Sequence, residues 1–128
     1  MKVLLTTILL LTCATAYCQI EVVHFNAGWN DANDIEWFSK IKDCDTKSLL
    51  IEDDNNQSKY KIAIVPTIVI FDDGEEVKRF QADLSFKMVA TKEEVKEYIE
   101  ELIINSSIYS STSFLVATIL KLGLLEIF

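Results

Sequence analysis

The residues that could do chemistry in this chain begin with one histidine and one cysteine. His24 is the only histidine, and Cys44 stands between Asp43 and Asp45. A metal site needs three or four ligands, so a lone histidine and a distant cysteine do not predict one. Neighbouring carboxylates raise the pKa of a thiol and leave little reactive thiolate. We therefore expect no metal at His24, and we expect Cys44 to act as a small, half-buried apolar side chain.

A second candidate set follows Trp29, in the segment Trp29-Asn30-Asp31-Ala32-Asn33. Asn30 and Asn33 carry amides, which are not nucleophiles and cannot be oxidised to a bridge. Asn and Asp are preferred at helix N-caps, so these residues could simply begin a helix. A polar binding role for the same amides is the alternative. The segment predicts no catalysis under either interpretation.

Composition argues against several other functions. Acidic residues outnumber basic ones 20 to 12, the net charge is −8, and no basic patch carries interleaved aromatics. Nucleic acid is therefore not an expected partner. The acidic segments 52–54 and 72–73 lack the alternating acids, central glycine and closing glutamate of a calcium loop. Only three glycines occur, and none belongs to a phosphate-binding loop. We expect no cofactor.

Hydrophobic patterning predicts alternating strands and helices. The third helix begins at a capping box, in which Thr91 and Glu94 exchange hydrogen bonds with each other's backbone. The apolar strand in the middle of the chain, Thr67 to Phe71, is typical of a buried central position. The expected elements are strands at 19–25, 47–51, 67–71 and 75–81, a turn at 72–74, and helices from Asp31 or Asn33 to about Lys42, at 56–60, and from Thr91.

The order of these elements, with Trp29 after the first strand and Ile64-Val65-Pro66-Thr67 before the third, resembles the thioredoxin family from about Ile20 to Ile104. The resemblance implies an α/β fold: a single thioredoxin-like domain with a central mixed β-sheet flanked by helices. It also implies that Asn30 and Asn33 stand where the family carries the two cysteines of Cys-x-x-Cys. His24 stands where the family often has a buried acid. Three departures in one site predict that the redox function is absent.

The same resemblance implies a cis proline at Pro66, facing the Trp29 segment. A cis bond there turns the preceding backbone outward, where it could pair with an extended peptide. The expected groove consists of Trp29, Val65, Pro66 and Thr67. The alternative is that the proline serves only the turn of the fold.

The first 18 residues are typical of a secretory signal peptide. Lys2 is followed by a short apolar run at 3–11, and small residues fit cleavage after Ala16 or Cys18. The alternative is an uncleaved hydrophobic first strand. Cleavage removes Cys13, so the mature chain keeps Cys44 and, if cleavage follows Ala16, Cys18. This segment predicts a secreted or periplasmic protein.

The resemblance does not cover the C-terminus. Residues 106–113 are rich in serine and predict a linker, and residues 114–128 are apolar apart from Lys121 and Glu126. Three interpretations of this tail are open: a helix packed on the domain or on a partner, a membrane-associated segment, or a disordered end. We expect the globular domain to occupy residues 19–105.

Together these observations predict a secreted thioredoxin-fold protein without redox cysteines, which binds a peptide or protein rather than catalysing a reaction. Two alternatives are a thiol-disulfide oxidoreductase acting through Cys44 or a partner's thiol, and a structural component docked through the apolar tail.

Overall fold

The computed structural model describes residues 19–127, so the expected signal segment and Phe128 lie outside the described residues. The strands are β1 (Ile20–Asn26), β2 (Asp45–Leu50), β3 (Thr67–Asp72) and β4 (Glu75–Gln81), and the α-helices are α1 (Asn56–Lys59) and α2 (Lys92–Ile127). Two 3₁₀ helices, Gly28–Asn33 and Glu36–Lys40, lie between β1 and β2.

The four strands form one mixed sheet in the order β2-β1-β3-β4. β1 pairs with β2 in parallel and with β3 antiparallel, so Val23 lies beside Lys47 on one side and Val69 on the other. β3 and β4 are antiparallel and joined by the expected turn, where Asp73 and Gly74 both have positive φ. This is the predicted α/β architecture. It places the end of β1, and the residues after it, at the middle of the sheet.

Apolar side chains alternate along the central strands and form a core on each face of the sheet. Val22 and Ile68 face the second 3₁₀ helix and α2, where Phe38 and Val95 are buried against them. Val23, Phe25 and Val69 face the other way, toward Ile62 and Val65. Successive side chains of a strand point to opposite faces of the sheet. Because both faces are covered, β1 and β3 contain no exposed residue.

The predicted helix from Asp31 or Asn33 to Lys42 is wrong. Two 3₁₀ helices replace it, separated at Asp34 and Ile35, which are both extended. Ile35, Phe38 and Ile41 recur every three residues, which is the period of a 3₁₀ helix and not the 3.6 of an α-helix. All three are buried in the core. The three-residue spacing that predicted a helix is therefore the spacing of a 3₁₀ helix.

The helix α2 begins as predicted. The amide of Thr91 donates to Glu94 Oε2 at 2.8 Å, and the amide of Glu94 donates to Thr91 Oγ1 at 3.2 Å. Val95 and Ile99 then pack into the core, and the helix side chains are exposed from Ile104 to Leu122.

The serine-rich segment is helical rather than a linker, because α2 runs through it without a break. Ser106 Oγ donates to the carbonyl of Ile103 at 2.9 Å, and Thr112 Oγ1 donates to that of Ile108 at 2.7 Å. Hydroxyls that bond the preceding turn in this way do not compete with the helical backbone. Residues 92–123 of this helix are long and apolar enough to cross a membrane, by length and composition.

Candidate functional site

The candidate site lies where β1 ends and the first 3₁₀ helix begins. The short turn after Asn26 buries Asn30 and leaves Trp29 65% exposed. The amide of Gly28 donates to Glu52 Oε1 at 2.6 Å, and a Cβ at Gly28 would approach that oxygen to 2.8 Å. A side chain at this position would displace the Glu52 carboxylate from the backbone amide. A negative charge at the start of a helical turn also stabilises its free amides.

Three asparagines form a closed hydrogen-bond network at this position. Asn30 Nδ2 donates to Asn26 Oδ1 at 3.1 Å and to the carbonyl of Phe86 at 3.2 Å. Asn33 Nδ2 donates to Asn30 Oδ1 at 2.9 Å, and Asn26 Nδ2 donates to Asp34 Oδ1 at 3.3 Å. The polar atoms of the Asn30 side chain are therefore all used inside the protein. These amides hold the segment in place and offer no nucleophile.

His24 lies on β1, two residues before Asn26 of this network, and its side chain is buried. Its Nδ1 lies 3.2 Å from Ser48 Oγ, and its Nε2 lies 3.4 Å from Asp34 Oδ1 without forming a hydrogen bond to a described residue. Burial lowers the pKa of His24 below its ordinary value, although the carboxylate of Asp34 acts in the opposite direction. The imidazole is therefore neutral at pH 7. A cavity of about 120 Å³ lies against its ring, lined also by Asp31, Asp34 and Ser48.

An exposed aromatic pair covers the outer side of the site. The rings of Trp29 and Phe86 meet edge to face, with their centroids 5.0 Å apart. Phe86 has φ of 62°, a left-handed conformation that costs a bulky residue energy. Asp83 Oδ1 fixes this loop by accepting from the amides of Ser85 and Lys87 at 2.9 and 3.2 Å. The Ser85 hydroxyl bond to the same carboxylate, more than any other contact, lowers the pKa of Asp83.

The residues expected to line a peptide groove are less accessible than the sequence predicts. The Val65–Pro66 bond is cis. Val65, Pro66 and Thr67 are all buried, however, and the carbonyl of Pro66 accepts from the amide of Ala82 at 3.0 Å. Thr67 Oγ1 donates to the carbonyl of Ile64 at 2.6 Å. Trp29 is the one exposed member of the predicted set.

Cys44 lies apart from the network, directly before β2. It is half-buried and packs against the core that contains Val95 and Ile99. A larger cavity, of about 290 Å³, lies near that side and is lined by Lys40, Lys42, Lys92 and Lys96, with no residue in common with the asparagine network. Over the described residues, no group of three or more His, Cys, Asp or Glu side chains is placed to hold a metal ion.

Sequence reasoning identified His24, Trp29, Asn30 and Asn33, and the structure brings these residues together. It missed Asn26 and Phe86. Asn26 and Asp34 meet because the backbone is extended at Asp34, a break that the helical pattern concealed. Phe86 is 56 residues from Asn30, and no local pattern links them.

No protein-family model matches the chain, and no curated protein matches its sequence. Solved structures do match its fold. Thioredoxin 1 from Thermosipho africanus TCF52B is 22% identical, with a TM-score of 0.53, over 68% of this chain and 98% of that one. A mutant thioredoxin from Halobacterium salinarum NRC-1 is 21% identical, with a TM-score of 0.50, over 65% of this chain and 74% of that one. At such identities the likeness concerns the fold alone. The chain has a thioredoxin-like fold.

Proposed function

We propose that this chain is an exported thioredoxin-fold binding module that carries out no thiol-disulfide exchange. The observation that carries the proposal is the asparagine network: Asn33 bonds to Asn30, and Asn30 bonds to Asn26, at the place where a redox pair would need free thiols. Thiol-disulfide exchange requires a thiolate that attacks a disulfide sulfur. The sequence contains no Cys-x-x-Cys.

The proposed binding surface is the aromatic pair of Trp29 and Phe86, which takes an extended peptide or a protein partner. Tryptophan is enriched among residues that dominate binding energy, and an edge-to-face partner holds it in one orientation. Phe86 keeps a strained backbone beside it, fixed by Asn30 and Asp83. Strain that the surroundings maintain is a reason to look for a functional role.

Export is the second part of the proposal. Residues 1–18 have the composition of a secretory signal, which supports a secreted or periplasmic location. Cys44 is the one cysteine that the mature chain keeps with either predicted cleavage site. A lone cysteine cannot form an internal disulfide, so the acidic domain is compatible with an oxidising compartment.

The absence of redox activity is tested with dithiothreitol-dependent insulin reduction on the mature chain. We expect turnover no greater than that of a Cys44→Ala variant. Activity clearly above that control would contradict the proposal and favour an oxidoreductase that acts through Cys44.

Binding is tested by selecting a displayed library of random peptides on the mature chain. We expect enriched peptides whose affinity falls at least about tenfold in Trp29→Ala, the loss typical of an interface residue that dominates binding. Leu84→Ala is the matched control, because Leu84 is 92% exposed on the same loop as Phe86. Equal binding by Trp29→Ala and wild type would place the surface elsewhere.

A further inference from the structure

A long uncharged run occupies the part of α2 that leaves the globular body. No charged residue occurs from Leu102 to Leu120, a stretch of 19 residues between Glu101 and Lys121. At a rise of 1.5 Å per residue this run is about 28 Å long. The hydrocarbon core of a bilayer is about 30 Å thick. The length of the run therefore fits one crossing.

The backbone of this run is helical throughout, which a membrane requires. Three of the hydroxyl side chains within it also find partners on their own helix. Besides Ser106 and Thr112, Thr118 Oγ1 donates to the carbonyl of Phe114 at 2.8 Å. Hydroxyls satisfied in this way are tolerated in an apolar surrounding.

The apolar side chains of the run are exposed. The exposed members between residues 104 and 120 are Ile104, Ile108, Tyr109, Phe114, Leu115, Val116, Ile119 and Leu120. A soluble monomer rarely leaves so large an apolar surface in water. In the described part of the chain nothing packs on residues 104–120, because each of them is exposed.

Lipid would cover this exposed apolar surface more completely than one partner helix. At 100° per residue, Ile108, Val116 and Phe114 point to three different sides of the helix. A second copy of α2 would cover one stripe and leave the other sides in water. Lipid covers all sides at once.

We propose that α2 crosses a lipid bilayer with the exposed part of this run, residues 104–120, and anchors the thioredoxin-fold domain to it. Leu102 and Ile103 pack against the domain core, and the 17 residues that follow are long enough for one crossing. The start of α2 remains part of the domain, where Val95 and Ile99 are buried. The charges of Glu100, Glu101 and Lys121 then lie at the two interfaces. The anchor does not depend on the proposed role of Trp29 and Phe86.

The test uses the full chain expressed in cells, followed by alkaline carbonate extraction of the membranes and flotation with phosphatidylcholine vesicles. We expect the wild type to stay in the carbonate-resistant pellet and to float at both low and high salt. Phe114→Arg places a charge near the middle of the run, where it is costly in lipid. This variant should move mostly to the soluble fraction. Glu97→Arg introduces the same residue on the exposed domain part of α2 and should remain membrane-bound.

Circular dichroism of the released Phe114→Arg protein checks that the domain is folded. Release of a folded domain supports the proposal. A wild type that carbonate extracts fully, or a Phe114→Arg variant that remains in the pellet, overturns it. A detergent-free wild type that elutes as a discrete dimer and does not float also overturns it, in favour of a second copy as the cover.

Discussion

Asn30 has a structural role in the candidate site. Its side chain donates to Asn26 and Phe86 and accepts from Asn33, and it is buried. A buried amide left without partners costs about 1–3 kcal/mol, so each of these bonds matters for stability. The two interpretations of the sequence, a cap and a polar binding role, are both incomplete, because the first 3₁₀ helix has no side-chain cap and the amides bond to one another.

The contact between Asn30 and Asn33 predicts that cysteines would pair there. Their side-chain atoms approach to 2.9 Å in one helical turn. We expect Asn30→Cys with Asn33→Cys to form an internal disulfide in a glutathione buffer, because the side chains already meet within disulfide reach. Mass spectrometry after thiol alkylation measures the pairing, and the Asn30→Cys single variant is the control. Two alkylated thiols at these positions after equilibration would contradict the expected geometry.

His24 predicts a dependence of stability on pH. Burial lowers its pKa in the folded state, so below an unfolded pKa of 6.5 the unfolded chain binds a proton that the folded chain does not. Its contribution to stability is complete above that pH. It falls as the pH drops toward the folded pKa, by about 1.4 kcal/mol for each unit of pKa difference.

Urea unfolding at about pH 7.5 and about pH 5.5 measures this loss, since the interval brackets the ordinary histidine pKa. His24→Gln is the control, because His24 is the only histidine in the chain. The wild type should lose more stability over this interval than His24→Gln. Equal losses would show that the carboxylates alone account for the effect.

At the scale of elements, one arginine connects β4 to the chain that follows α1. Arg79 Nη1 and Nη2 donate to the carbonyls of Lys61 and Tyr60, both at 2.8 Å, and Nη2 also donates to Glu76 at 2.6 Å. Lys61 has φ of 52°, in the left-handed region. The planar guanidinium serves both carbonyls at once, which a lysine ammonium cannot do in the same geometry.

We expect Arg79→Lys to lower the free energy of unfolding by about 1.5–3 kcal/mol, the range for hydrogen bonds to a charged group. Urea denaturation followed by tryptophan fluorescence measures the change. Lys42→Met removes an exposed basic side chain and should change stability by less than about 0.5 kcal/mol. If the two variants were equally stable, the Arg79 bonds would contribute no more than an exposed lysine does.

The whole molecule consists of a sheet with two packed faces and a helix that is buried at one end and exposed at the other. Val95 and Ile99 belong to the core, whereas Ile104 and Ile108 are 57% and 59% exposed. The same helix is therefore buried in the core at its start and exposed to the surroundings farther along. The change falls near the predicted domain end at residue 105.

Two isoleucines on α2 provide a matched test of this division. Ile99→Ala should cost about 2–5 kcal/mol, because it opens a cavity in the core. Ile108→Ala should change stability by no more than about 0.5 kcal/mol, because nothing in the described part of the domain packs on it. Both are measured by urea unfolding in one detergent. Similar losses would show that the exposed helix is part of the folding unit.

Local patterns were enough to predict much of this protein. The alternation at 19–25, the apolar run at 67–71, the Asp-Gly turn and the Thr91 capping box each depend on neighbours within a few residues. The strands, the turn and the capping box are all present, with strand ends shifted by one residue. Asn30, Asn33 and His24 could be named as candidates because the order of elements places them around one turn.

Other features depended on contacts between distant residues, which no local pattern reports. Asn30 meets Phe86 only because β4 returns beside β3, and the same return buries Pro66 under Ala82. Ile35, Phe38 and Ile41 share one buried cluster with Val22 and Ile68 of the sheet, a contact that their local spacing does not identify. The serine-rich segment continues a helix whose first turns are buried at Val95 and Ile99, an outcome that the local preference of serine for turns does not predict.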